Sequence, residues 1–206
     1  MLISHRHKLV FIKTRKVGGT SFEKYFMDNH FNFQGDVCTG SIINNILPCN
    51  TTLKGHVPWD VILREYPEAE FYKKFSIERN PWDKCVSLYY FYKAEGRYFA
   101  DNASFSEFIS HRELLPQDLQ QYINAPNLTV VLWERLAEEL EEVLASVGIQ
   151  FDRNKFASYQ LKAGHRRDTH YSHLYSDEDV EIVRSIFTPQ IELFNYDFED
   201  QRKLLG

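Results

Sequence analysis

The residues with the clearest chemical potential lie between two apolar segments near the start of the chain. Lys16 precedes two glycines, Gly18 and Gly19, and two hydroxyl side chains follow, those of Thr20 and Ser21. A short apolar run with a buried-strand pattern comes before them, and aromatic residues at helical spacing come after them. A helix N-terminus presents unpaired N–H groups and a positive dipole end, and glycines let the backbone close around an anion. The segment therefore predicts an anion-binding strand–loop–helix unit.

This loop differs from two familiar phosphate-binding patterns. In GxxxxGK[ST] the lysine follows the second glycine, whereas Lys16 precedes both glycines, and the chain contains no GxGxxG. A tight turn whose glycines serve packing alone is the competing interpretation. The anion site is favoured by four basic side chains in or near the loop: Lys13, Arg15, Lys16 and Lys24.

Composition narrows the classes of partner. The 206 residues are 43% hydrophobic and 26% charged, which is typical of a globular protein and predicts a single domain over 1–206. The net charge of −5 argues against binding nucleic acid or an anionic membrane through bulk charge. Residues 1–33 nevertheless carry a net charge of +4, from six basic and two acidic side chains. That local excess indicates a small anionic ligand.

The same composition bears on compartment. No apolar run approaches the roughly 20 residues of a membrane span, and the N-terminal segment lacks the features of a secretory signal. The cysteines are odd in number and lack metal-type spacing. We therefore expect a cytoplasmic protein with no integral membrane segment and with reduced thiols, a Cys38–Cys49 disulfide being the alternative.

Strand and helix patterns alternate along the chain, which predicts an α/β fold with a central parallel sheet flanked by helices. Strands are expected over 8–13, 71–77 and 128–133, with a further short one at 51–56. Thr20 or Ser21 is expected to cap the first helix. Later helices are expected over 59–66, 82–95, 104–111, 117–123 and 136–147, and after a capping box at Ser176. Residues 29–50 are expected to be an irregular surface segment, and the aromatic tail 191–198 is expected to pack on the core.

Two segments resemble the sulfotransferases that use 3′-phosphoadenosine 5′-phosphosulfate (PAPS). Residues 11–21 resemble the 5′-phosphosulfate loop of that family, with Arg15 where a proline is usual and Val17 where a hydroxyl residue is usual. Residues 75–90 resemble its 3′-phosphate element, with matches at Arg79, Pro81, Lys84, Ser87, Tyr89 and Tyr90. Weaker similarity at 131–136 and 170–198 extends the resemblance over about 8–198.

The resemblance implies a three-layer P-loop-like fold and transfer of a sulfuryl group from PAPS to a hydroxyl, with PAP as the product and no metal. A carbohydrate is the favoured acceptor. Lys16 would contact the phosphosulfate, and the backbone from Gly18 to Ser21, with the Thr20 and Ser21 hydroxyls, would hold the 5′-phosphate. The remaining nucleotide contacts are assigned to Arg15, to Arg79 and Ser87 at the 3′-phosphate, and to Arg166 or its neighbour Arg167.

Histidine suits the removal of the acceptor's proton because its pKa lies near neutrality. Gly55-His56-Val57-Pro58 resembles the turn that carries the catalytic base in some carbohydrate sulfotransferases, so His56 is the expected base and is expected at a strand end. Glu78, beside Arg79, is the competing base. It is more readily interpreted as the partner of a nearby lysine or arginine.

Two other functions remain open: a small-molecule kinase of P-loop-like fold, which would require ATP and Mg²⁺, and a non-catalytic nucleotide-binding protein that keeps the fold. Residues 29–50 and 95–125 match nothing in the family. They, or a second copy of the chain in a homodimer, would shape the acceptor site.

Overall fold

The computed structural model describes residues 1–32, 34–40, 49–96, 103–159 and 169–202. The chain is α/β and divides into two compact units. One unit comprises Met1–Glu78 with Asp118–Lys162, and the other comprises Arg79–Gln117 with Ala163–Gly206.

The first unit contains a five-stranded mixed sheet in the order β3-β1-β2-β4-β5. Its strands are β1 (Leu2–Ser4), β2 (Leu9–Ile12), β3 (Val37–Cys38), β4 (Lys73–Glu78) and β5 (Leu128–Leu132). Its helices are α1 (Gly19–Asn29), α2 (Trp59–Glu65), α5 (Leu136–Ala145) and α6 (Arg153–Ala157). Single 3₁₀ turns cover Pro67–Phe71, Leu119–Gln121 and Trp133–Arg135.

Parallel pairing is confined to β2, β4 and β5. The sheet is therefore mixed, whereas the sequence predicted a parallel sheet. The ends of the parallel strands align, with Ile12 opposite Ser76 and Glu78 opposite Leu132. The difference arises at the N-terminus, where β1 pairs antiparallel with both β2 and β3. Its three-residue apolar run is too short to be distinguished as a strand in the sequence. The turn into β2 places Lys8 at a φ of 50°.

One aromatic core joins this sheet to α1 and α5. The rings of Phe11 and Phe75 stack with their centroids 4.8 Å apart, and Phe22 of α1 meets Phe75 edge-on at 5.1 Å. Leu140 and Leu144 of α5 are fully buried in the same cluster. The helical spacing of these apolar residues is what turns one face of each helix to the sheet.

The second unit consists of helices in its described part. They are α3 (Pro81–Ala94), α4 (Phe105–Ser110), α7 (Asp177–Ile186) and α8 (Thr188–Phe194), with 3₁₀ turns at Arg112–Leu114 and Tyr171–Leu174. The predicted capping box at Ser176 is confirmed, and Ser104 forms another at α4. The expected packing of the aromatic tail is confirmed as well, because the Phe198 ring lies 5.7 Å from the Trp82 ring.

Three local predictions are wrong. Residues 51–56 form bends and no strand. Only one 3₁₀ turn lies within 117–123. The described part of 29–50 is not merely a surface segment, because it contributes β3 and the buried Asp36, whose carboxylate accepts hydrogen bonds from Ser4 Oγ and His5 N. Polar composition indicated a surface there, but hydrogen bonds to distant residues satisfy the polar groups inside.

Among the helices of the described ranges, none combines the length and the apolarity that crossing a bilayer demands.

Candidate functional site

The loop between β2 and α1 has an unusual backbone. Lys16 adopts a φ of 60°, a left-handed conformation that is uncommon for residues other than glycine. Gly18 adopts a φ of 71° and is the residue that caps α1. The expected cap at Thr20 or Ser21 is therefore wrong, because the cap is Gly18, two residues before Thr20, and the helix begins at Gly19.

Both glycines are required by close packing. A Cβ added to Gly18 would lie 2.3 Å from Cζ3 of Trp133, and one added to Gly19 would lie 2.9 Å from Cγ of Lys13. Val17, directly before Gly18, is fully buried in the aromatic core, so the side chain at the position where the resemblance leads one to expect a hydroxyl does not face the outside of the loop. Close packing therefore accounts for a glycine at both positions.

The first turn of α1 keeps open hydrogen-bond donors. The N–H groups of Ser21 and Phe22 bond to the Gly18 carbonyl, whereas those of Gly19 and Thr20 have no acceptor in the described part of the chain. Gly18 has no side chain with which to cap them. Because unsatisfied N–H groups and the helix dipole both favour negative charge, this turn suits an anion.

The positive charge around the loop is smaller than the sequence suggests. The Lys13 ammonium bonds to the carboxylate of Glu23, which is fully buried on α1. Lys24 pairs with Asp28 at 2.5 Å. Arg15 Nε donates to Asp118 Oδ1 at 2.9 Å, and this carboxylate lies outside residues 1–33. The charges of Lys13, Lys24 and Arg15 are therefore each offset by a nearby carboxylate.

His56 is brought against this loop by two hydrogen bonds. Its Nδ1 lies 3.1 Å from the carbonyl oxygen of Lys13, and Thr39 Oγ1 donates to the carbonyl of Gly55 at 3.1 Å. The expectation of a strand end is wrong, since His56 follows a left-handed Gly55 in a loop. A carbonyl oxygen only accepts, so the proton of the neutral ring resides on Nδ1. Nε2 is then the unprotonated nitrogen.

The surroundings of His56 keep its ring neutral. Part of its surface is open to solvent, yet many protein atoms surround it, and this desolvation is the main cause that lowers its pKa to about 4. The nearby Lys13 ammonium lowers the pKa further. The Lys13 carbonyl and the Asp118 carboxylate act in the opposite direction. At neutral pH the side chain is therefore a proton acceptor.

Glu78, the competing base, is enclosed in the first unit. Its side chain is buried, and Oε2 accepts a hydrogen bond from the hydroxyl of Tyr122 at 2.6 Å. A carboxylate in that position has less access to an incoming hydroxyl than the partly open His56 ring.

The residues of the predicted 3′-phosphate element lie in the second unit, at the start of α3. Asn80 caps the helix by accepting from the N–H of Trp82 at 3.1 Å. The buried Arg79 donates through Nε to Asp83 Oδ2 at 2.7 Å. Ser87, half-buried, lies one turn beyond Asp83 on the same helix face. Arg166 and Arg167 lie outside the described residues.

The sequence did not point to Asp118, Trp133 or Glu23 as parts of the loop's surroundings. Asp118 is 103 positions from Arg15 and follows no motif. Trp133 lies in the segment 131–136, where the similarity to the family is weak, and the structure packs its ring on Gly18. The sequence did contain a sign that Glu23 is buried. It is a carboxylate next to Phe22 on the apolar side of α1, where the neighbouring residues are buried.

Within the described ranges, no three His, Cys, Asp or Glu side chains are grouped so that they could hold a metal ion.

No family model matches the chain, and no curated protein matches it.

The packing of Trp133 on Gly18 predicts a selective effect of adding a methyl group. Gly18→Ala is expected to destabilise the first unit by the left-handed strain of about 1–2 kcal/mol and by a further overpacking cost of about 1–3 kcal/mol. Gly148→Ala is the matched control, because Gly148 has a φ of 74° but nothing lies within 4 Å of an added Cβ. Urea unfolding measures both. Equal losses for the two variants would contradict the close contact with Trp133.

The environment of His56 predicts its titration. In the protein without ligand, the ring is expected to be half-protonated at about pH 4 and not near the ordinary 6.5. An unfolded chain then binds more protons, so folding stability should fall as the pH is lowered from about 6.5 to about 4. Histidine NMR titration, with His56→Gln to assign the signal, measures the pKa. A midpoint near 6.5 would contradict the desolvated position.

Proposed function

We propose that the chain is a PAPS-dependent sulfotransferase that transfers a sulfuryl group to a hydroxyl, and that its acceptor is a carbohydrate. The observation that carries the proposal is the first turn of α1, where the N–H groups of Gly19 and Thr20 lack acceptors in the described chain. This turn directly follows Lys16, and it lies in the segment that resembles the family's phosphosulfate loop.

The chemistry of the loop fits the donor. The anionic 5′ end of PAPS requires hydrogen-bond donors and positive charge, with no carboxylate side chain already capping the helix. The residue that caps α1 is a glycine, which has no side chain to compete with the phosphate. In this proposal the N–H groups of Gly18, Gly19 and Thr20 hold the 5′-phosphate together with the hydroxyls of Thr20 and Ser21. Lys16 offsets the negative charge that grows on the leaving oxygen. When bound, the donor supplies the activated sulfuryl group.

His56 is assigned the role of general base. Its Nε2 is the unprotonated nitrogen, and its neutral ring can take a proton from an acceptor hydroxyl. A base with a pKa of about 4 is weak at neutral pH, but an anion bound near the ring stabilises the imidazolium. Donor binding is therefore expected to raise the pKa of His56 and to improve it as a base. Glu78 is the alternative base.

The remaining assignments rest on the resemblance. Arg79 and Ser87 would hold the 3′-phosphate, and Arg166 would contribute a further contact to the nucleotide. The three-layer P-loop-like architecture is part of the proposal, supported by the parallel β2, β4 and β5 and by the β2–loop–α1 unit. The proposal also includes a single domain over 1–206, a cytoplasmic location and a reaction that needs no metal. In this proposal the acceptor site is built from 29–50, from 95–125 or from a second copy of the chain.

Calorimetric titration tests the proposal on the intact chain. We expect adenosine 3′,5′-bisphosphate to bind in the micromolar range and ATP with Mg²⁺ to bind more weakly. Lys16→Ala should weaken bisphosphate binding by about tenfold or more, equivalent to about 1.4 kcal/mol. Alanine keeps a Cβ at the left-handed position, so the variant isolates the charge. Lys24→Ala, which removes an exposed ammonium paired with Asp28, is the matched control and should bind as the parent does.

Turnover is measured with PAPS and a panel of hydroxyl acceptors. His56→Ala should abolish sulfuryl transfer while leaving the bisphosphate Kd within about twofold. Unchanged turnover in that variant would exclude His56 as the base. A preference for ATP with Mg²⁺ would indicate the kinase and refute the proposal. Bisphosphate binding without transfer to any acceptor would indicate the non-catalytic protein.

A further inference from the structure

The left-handed backbone of Lys16 requires support from its neighbours. A φ of 60° at a residue with a side chain costs of order 1–3 kcal/mol and persists only where the surroundings enforce it. The residues on either side supply that support. Thr14 Oγ1 donates to the carbonyl of Ile77 at 3.0 Å, and Val17 is buried in the core.

Arg15, directly before Lys16, is held by two groups at once. Its backbone N–H donates to Asp118 Oδ2 at 2.9 Å, and its Nε donates to Asp118 Oδ1 at 2.9 Å. One carboxylate therefore fixes both the main chain and the side chain of the residue that precedes the strained position. Two parallel charge-assisted bonds define an orientation as well as a distance.

Asp118 is itself rigidly placed. Its side chain is fully buried, and Oδ1 also accepts from Nε2 of Gln121 at 3.2 Å. Its main-chain carbonyl accepts from the N–H of Gln121, in the 3₁₀ turn that follows. A buried carboxylate held this way keeps its partner in place, because loss of the pairing would leave a charge buried without compensation.

We propose that Arg15 and Asp118 form a clamp that sets the conformation of Lys16, so that Arg15 is a positioning residue and not a phosphate ligand. The consequence for the site rests on the proposed function, in which Lys16 and the start of α1 bind the donor's phosphate. The clamp itself does not depend on that function, and two measurements separate the two claims.

Binding of adenosine 3′,5′-bisphosphate distinguishes a clamp from a ligand by the rank of two variants. Asp118→Asn removes the negative charge and one of the two acceptor oxygens, so one bond to Arg15 is lost and the other is weakened, whereas Arg15→Ala keeps the bond from the backbone N–H to an intact carboxylate. The clamp predicts that Kd rises about tenfold or more in Asp118→Asn and about threefold in Arg15→Ala. A direct phosphate contact predicts the reverse order, and that order would overturn the proposal. Asp152→Asn is the matched control, because Asp152 accepts from a backbone N–H of α6 and asparagine caps a helix equally well.

Amide hydrogen exchange, without ligand, tests the clamp even if the bisphosphate does not bind. The N–H groups of Arg15 and Val17 should exchange at least tenfold faster in Asp118→Asn than in the parent chain, and those of α6 should be unchanged. If Asp118→Asn does not fold, Arg15→Ala should still show faster exchange at Val17 than the parent. Unchanged exchange in the loop of a folded variant would refute the clamp. Absence of bisphosphate binding by the parent chain would refute the proposed function alone.

Discussion

The structure of the loop between β2 and α1 depends on holding Lys16 and Gly18 in left-handed conformations. Each neighbouring residue has a separate anchor. The Lys13 carbonyl faces His56, the Thr14 hydroxyl bonds to Ile77, Arg15 is fixed by Asp118, and the Gly18 backbone lies against the Trp133 ring. Without these anchors the chain would relax to a lower-energy turn, and α1 would not begin at Gly19 with open N–H groups. The open N–H groups at the start of α1 are therefore a property of the tertiary structure and not of the glycines alone.

Buried ion pairs set the electrostatics of this region. Glu23 neutralises Lys13 inside the protein, and Asp118 neutralises Arg15. At the start of α1 the backbone N–H groups add a directional field of their own. The neutral ring of His56 belongs to the same arrangement, since desolvation and the Lys13 ammonium disfavour its protonated form. A region of this kind recognises a small anion through fixed dipoles and does not require a large positive surface.

The elements that the sequence predicts well are those specified by local patterns. The apolar run of β2, the helical spacing of α1 and α5, and the Ser176 capping box are each visible within a few residues. The three-residue β1 and the two-residue β3 cannot be predicted in this way, because their pairing with other strands, and no pattern of their own, makes them strands. The residues of the candidate site also fall into those that local patterns reveal and those that only the tertiary structure reveals. Lys16 and the glycines are recognisable in the sequence, but Asp118 lies 103 positions from its partner and Trp133 lies far along the chain. Likewise, the net charge counted over residues 1–33 leaves out the carboxylate of Asp118, which pairs with Arg15 but lies far along the chain.

An NMR titration of backbone amides with adenosine 3′,5′-bisphosphate tests the central claim most directly. If the open first turn of α1 binds the phosphate, the Gly19 and Thr20 signals should show the largest saturable shifts. The amides of Glu107 and Asp179, whose N–H groups are already capped by Ser104 and Ser176, should hardly move. Saturable binding with no shift at Gly19 and Thr20 would contradict the account, because the nucleotide would then occupy another part of the protein.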